Sequence, residues 1–170
     1  MTTSGHNADF LEMIHQHGGI VHKVSRLYRQ EEADRQDLVQ EILYQVWKSW
    51  PQFRGESKRS TWIYRIALNT AIADFRKLKR TLPTATLDPE PPEIVDSIYD
   101  FEKEQQLEQL YTAIRQLNEI ERAVVMLYLD DKSYEEMEDI LGINQGNLRV
   151  KMNRIKDKLR QLTNAAAHGA

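Results

Sequence analysis

The chain has 170 residues, no cysteine, 29% charged residues and a net charge of −3. That length admits one domain or two small ones. The missing cysteines exclude a disulfide framework, a thiolate metal site and a thiol nucleophile, and they fit a reducing compartment. The N-terminus has no apolar signal core, and no run reaches membrane-spanning length, so the expectation is a cytoplasmic protein without membrane insertion. The near-neutral total hides a sharp division of charge. Residues 54–80 hold eight basic side chains against Glu56 and Asp74, a balance of +6. Residues 88–108 hold eight acids against Lys103, a balance of −7, and residues 143–162 return to +5. Two basic blocks around an acidic one suggest two surfaces for a polyanion, with a connector that avoids them.

In chain order, Phe10, Ile14, Val21, Val24 and Leu27 predict a helix over 9–30, interrupted at Gly18-Gly19. Leu38, Ile42, Val46 and Trp50 form one apolar stripe on a second helix that Pro51 ends. "FRGES" is a loop. Ser60 or Thr61 should cap a third helix running from Trp62 to about Lys79, with Ile63, Ile66, Ala67, Thr70 and Phe75 near one side. "TLPTATLDPEPPEIVDS" contains four of the five prolines and reads as an extended linker. Helical pattern resumes at Phe101 through Leu107, Leu110, Ile114 and Leu117, and two further helices are expected over 119–129 and 133–141. The fold class is therefore all-α: two small helical domains, joined by a flexible linker.

The last 40 residues carry the most specific local signal. In "SYEEMEDILGINQGNLRVKM", Ser133 and Glu136 make a capping box, Gly142 permits a sharp turn, and Asn144 is a good N-cap for the next helix. Leu148, Met152, Ile155, Leu159 and Leu162 stripe that helix. At ~100° per residue, Gly146, Val150 and Asn153 point away from the stripe, flanked by Arg149 and Arg154. This is the pattern of a helix-turn-helix whose second helix enters the major groove. A plain αα-hairpin is the alternative, and the basic outer face argues against it. Glu138 departs from the pattern, since a small residue usually stands at the helix crossing.

In the first half, "FRGESKRSTWIYRIALNTAIADFRKLKR" interleaves basic residues with Phe53, Trp62, Tyr64 and Phe75. Basic groups can track a backbone and aromatic rings can stack on bases, although rings at helical spacing more often belong to a core. Here the chain resembles the extracytoplasmic-function (group IV) sigma factors of bacterial RNA polymerase. "DLVQEILYQVWKSWPQFRGESKRSTWIYRIALNTAIADFRK" looks like their region 2, and "LYTAIRQLNEIERAVVMLYLDDKSYEEMEDILGINQGNLRVKMNRIKDKL" like their region 4. The order of both blocks on one short chain makes the likeness specific. Asn118, where a proline is common, Glu138 and Asn153 depart from it and leave the promoter sequence open.

The resemblance implies region 2 over 1–80, an acidic proline-rich linker over 81–104 and region 4 over 105–170. It implies that Asp37, Gln40 and Glu41 grip the polymerase clamp. It implies that Ser49, Phe53, Ile66 and Asn69 hold a flipped base of the −10 element, with Arg54, Lys58 and Arg59 in the loop framing that pocket. Asn147, Arg149, Val150, Asn153 and Arg154 would meet the −35 element. Core RNA polymerase, promoter DNA and an anti-sigma factor are the implied partners. The chain should be no enzyme and need no cofactor: His15 and His17 point to different sides of a helix and make a poor metal pair. A stand-alone helix-turn-helix regulator is the alternative, but it leaves the aromatic-basic first half without a role, and a helical adaptor leaves the turn without one.

Overall fold

The computed structural model describes residues 3–81 and 101–168, so the greater part of the proline-rich linker lies outside the described residues. Seven α-helices and one 3-10 turn are present among them, with no strand: α1 (Thr3–Tyr28), α2 (Glu32–Ser49), the turn Trp50–Gln52, α3 (Arg59–Thr81), α4 (Phe101–Arg115), α5 (Glu119–Leu129), α6 (Tyr134–Leu141) and α7 (Gln145–His168). The all-α expectation holds.

The first three helices pack on one another; the α2 stripe is buried as expected, whereas on α3 the expected Ile66, Thr70 and Phe75 are only half-buried and Leu68 and Ala71 join Ile63 and Ala67 in the core. Leu38, Ile42, Val46 and Trp50 are buried, together with Met13, Val21, Val24 and Leu27 of α1 and Ile63, Ala67, Leu68 and Ala71 of α3. Two local expectations are corrected. Gly18 and Gly19 do not interrupt α1, which runs unbroken through them. The buried face on either side, worth about 1.5–3 kcal/mol for each fully buried large apolar side chain, outweighs the roughly 1 kcal/mol that each glycine costs a helix. The third helix begins at Arg59 rather than after Ser60 or Thr61. The Trp62 N–H already bonds to the Lys58 carbonyl at 3.1 Å, and Thr61 is buried inside the first turn instead of capping it.

In the second half the caps fall where local chemistry puts them. Asn118 caps α5 in a full capping box with Glu121, which gives the residue standing in place of proline a clear task. Ser133 and Glu136 do the same for α6. Gly142 has φ +70°, a left-handed conformation that favours glycine, and it ends α6 by donating to the Glu138 carbonyl at 2.8 Å. Asn144 then accepts the Asn147 N–H at 2.8 Å and starts α7. Leu148, Met152 and Ile155 are buried against Met137, Ile140 and the buried face of α5.

The two halves also pack together: α3 meets α5 and α6, and α1 meets α4. The Arg122 guanidinium sits at the joint, buried, donating to the carbonyls of Leu117 (3.0 Å) and Leu27 (3.3 Å) and to that of Arg115. It thereby serves the carbonyl-rich C-terminal ends of both α1 and α4. Phe75 lies under it at 4.7 Å. Burial lowers its pKa from the usual arginine range, and the charge is held by those carbonyls and ring faces. The Tyr28 hydroxyl donates to the Glu119 carbonyl at 2.6 Å across the same joint.

Candidate nucleic-acid interface

Three surfaces carry the residues singled out in the sequence. The first is the outer face of α7. Because Leu148, Met152 and Ile155 are turned into the core, Asn147, Arg149, Val150, Asn153 and Arg154 are all exposed. Val150, at 49% exposure, is an apolar side chain left in water in the middle of this face. The Arg149 guanidinium lies over the Tyr134 ring, 4.9 Å from its centroid. An aromatic face under the guanidinium limits its motion while its N–H edges remain free to donate. Tyr134 carried no role in the sequence reading; only its place ahead of the turn hinted at one. Further along α7, Lys158 is paired with Glu121 at 2.5 Å, and Lys156 lies over the Tyr128 ring.

The second surface follows α3. Phe53 stacks on Trp50, with centroids 5.4 Å apart and planes 11° from parallel, and tilts against Trp62 at 5.1 Å. Trp50 is buried, whereas Phe53, Trp62 and Ile66 are half-buried and Asn69 is exposed. Trp62, Ile66 and Asn69 succeed one another at helical spacing on one side of α3. Ser49 and Arg59 are half-buried and Arg54 is exposed, next to Gly55 at φ +73° in the loop. The aromatic cluster is thus half core and half surface. Tyr64, by contrast, is buried, and burial with a hydrogen bond to Asp130 pushes its phenol above its usual range.

The third surface is the outer face of α2. Asp37, Gln40 and Glu41 are exposed on it, and one turn further so are Tyr44 (56%) and Trp47 (44%). The two aromatics were not singled out in the sequence, where they read as ordinary members of an amphipathic helix. Asp37 and Glu41 also line a groove of about 720 Å³ between α2 and α3, whose far wall contains Asn69, Thr70 and Lys77. Asn69, expected beside Phe53, therefore stands on the rim between the second and third surfaces. Among the described residues no cluster of His, Asp and Glu has metal-holding geometry. No described helix is long and apolar enough to cross a membrane.

Comparison with known proteins bears on these surfaces. Residues 13–81 match the family model for sigma-70 region 2, and residues 107–159 match that for sigma-70 region 4. The chain is 28% identical over 151 residues to the ECF RNA polymerase sigma-E factor of Escherichia coli, covering 81% of this chain and 79% of that one. It is 29% identical over 160 residues to the ECF RNA polymerase sigma factor SigG of Mycobacterium tuberculosis, covering 79% of this chain and 43% of the relative. The fold is shared with the sigma factor RpoE of Bartonella quintana, solved with the anti-sigma factor NepR (TM-score 0.70, 19% identity, 92% and 97% of the two chains). It is shared also with CnrH, solved with the cytosolic domain of CnrY (TM-score 0.68, 21% identity, 95% and 92%). With both sigma regions present in order on helices that carry the expected turn and basic face, the chain belongs to the extracytoplasmic-function sigma factors of the sigma-70 family, the promoter-specificity subunits of bacterial RNA polymerase.

Proposed function

We propose that the protein divides its work as follows: residues 1–80 bind core polymerase and capture the −10 element, 81–104 act as linker, and 105–170 read the −35 element. The observation that carries the proposal is the sorting of α7, whose apolar stripe is buried and whose Arg149, Val150, Asn153 and Arg154 share one exposed face. A helix sorted in this way, preceded by a glycine turn, suits the major groove. Polymerase binding falls to Asp37, Gln40 and Glu41, and the exposed rings of Tyr44 and Trp47 supply the apolar anchors that acids alone would lack. The −10 strand falls to Ser49, Phe53, Ile66 and Asn69, with Arg54, Lys58 and Arg59 holding its backbone; half-buried rings beside a basic loop suit an unstacked base. The protein works in the cytoplasm without catalysis of its own, and an anti-sigma factor, as in the RpoE structure, is a natural partner.

Run-off transcription with core polymerase and a promoter library tests the division of labour. Asp37→Arg with Glu41→Arg should abolish association with core polymerase and leave helicity intact. Asn69→Ala should keep that association yet lower permanganate reactivity of promoter thymines on duplex templates, with a pre-melted bubble restoring reactivity but not base preference. Normal association of the first variant would remove the α2 assignment. Unchanged reactivity and base preference of the second would move the pocket elsewhere.

A further inference from the structure

The five α7 residues assigned to the −35 element differ in kind. Asn147, Arg149, Asn153 and Arg154 all carry hydrogen-bonding groups, and Val150 alone carries none. It is nevertheless 49% exposed in their midst, whereas the apolar Leu148 and Met152 on either side are buried. Core packing therefore does not account for a valine at this position. A β-branched side chain in a helix keeps essentially one χ1 rotamer, so its two methyl groups face outward at little entropic cost. One turn earlier stands Gly146, exposed in the first turn of α7. Helical side chains lean towards the N-terminus, over the preceding turn, so Gly146 leaves the methyl groups of Val150 uncovered. The fold itself does not call for glycine there. Its φ is not positive, and an added Cβ would meet only the Asn144 side chain, at an ordinary 3.5 Å. The position thus accepts a weaker helix former and gains open space beside an apolar side chain.

The polar groups of this face cover part of the major-groove code. Arginine addresses guanine O6 and N7, and asparagine addresses adenine N6 and N7. The amino group of cytosine is typically met by a carboxylate, and α7 has no acid before Asp157. What the face offers a pyrimidine is an apolar contact, and thymine is the base that carries a methyl group into the groove. We propose that Val150, with the space left by Gly146, takes the 5-methyl group of a thymine in the −35 element, and so makes this protein prefer thymine to cytosine at one base pair. The inference rests on the −35 reading of α7 and deepens it by naming a base. Covering one methyl group changes an affinity by roughly fourfold. A contact of that size sorts related promoters and does not by itself hold the DNA.

Holoenzyme assembled from this chain and core polymerase first selects duplexes from a library randomised over the −35 and −10 elements. In the selected duplex each thymine of the −35 element is then replaced singly by deoxyuridine, which removes only the methyl group. Each such pair is also replaced by cytosine with guanine, and by 5-methylcytosine with guanine, which restores the methyl group on the other pyrimidine. Competition binding compares wild-type holoenzyme with Val150→Ala. Wild type should lose affinity roughly fourfold on deoxyuridine at one position, and there it should bind 5-methylcytosine about fourfold better than cytosine. Val150→Ala should bind the selected duplex more weakly and respond to neither methyl group. Gly146→Ala should keep full helicity by circular dichroism, yet bind the selected duplex more weakly and show a smaller deoxyuridine effect. A selected −35 element with no thymine on either strand overturns the proposal while leaving the −35 reading standing. So do methyl effects that are the same in wild type and Val150→Ala, or absent from both. Gly146→Ala that binds as wild type does, with the deoxyuridine effect intact, overturns the part given to the glycine. A library from which no base is preferred at −35 overturns the −35 reading itself, and the thymine contact with it.

Discussion

Arg122 is the residue whose loss the structure makes most expensive. Its guanidinium gives hydrogen bonds to three main-chain carbonyls, those of Leu27, Arg115 and Leu117, at the ends of two helices from different halves of the chain. Replacing it with methionine keeps much of the volume and removes every donor. A hydrogen bond from a charged group contributes about 1.5–3 kcal/mol net, and a carbonyl left unsatisfied in a buried place costs about 1–3 kcal/mol. Favourable charge at a helix C-terminus adds ~0.3–1 kcal/mol for each helix served. Against these stands the relief of desolvating a charge that is 7% exposed, several kcal/mol by itself. The balance is a loss of about 3 kcal/mol, equivalent to a fall in Tm of roughly 6–12 °C for a chain of this size. Urea titration followed by circular dichroism, with calorimetry for Tm, measures it directly. Arg122→Lys should fall close to methionine, because an ammonium on a flexible stem cannot serve three carbonyls at once. A loss below about 1 kcal/mol for Arg122→Met would refute the reasoning and make the guanidinium a bystander over Phe75.

Two other outcomes follow from particular contacts. Arg149→Ala should cost about 1–3 kcal/mol at one base pair of the −35 element and relax its preference, whereas Lys158→Ala, already paired with Glu121, should change affinity little; binding isotherms on single-base variants of the site decide, and a uniform loss from Arg149→Ala would remove it as a reader. The carboxyl of Glu119 is held below the usual range by its own backbone N–H and then by Arg76, and that of Glu136 by the Ser133 N–H and then by Lys58. A depressed folded pKa gives stability that is present above the unfolded value of about 4.3 and lost as pH falls through the folded one. Stability to urea should therefore be flat from pH 7 to about 5 and fall below about 4, and Glu119→Gln with Glu136→Gln should blunt the fall.

Much of the fold was legible in the sequence because it is made by neighbours in the chain. Ser133 with Glu136, Gly142 and Asn144 act over three or four residues, so the helix-turn-helix and its outward face could be read from spacing. The stripe from Leu38 to Trp50 and the all-helical class were legible for the same reason. Helix starts and continuity were less so. Whether Gly18-Gly19 breaks α1, or where α3 begins, is settled by the burial on either side, and burial depends on helices distant in sequence. The site was divided in the same way. The exposure of Arg149 to Arg154 is a local consequence of periodicity, but the Tyr134 ring beneath Arg149 comes from the preceding helix. The groove that brings Asn69 opposite Asp37 and Glu41 exists only once α2 and α3 pack. The charge blocks were plain in the sequence, and composition alone suggested that the basic ones await a polyanion. Only the tertiary structure decided that part of the first block is met by acids of the same chain, because an ion pair such as Lys58 with Glu136 joins side chains 78 residues apart.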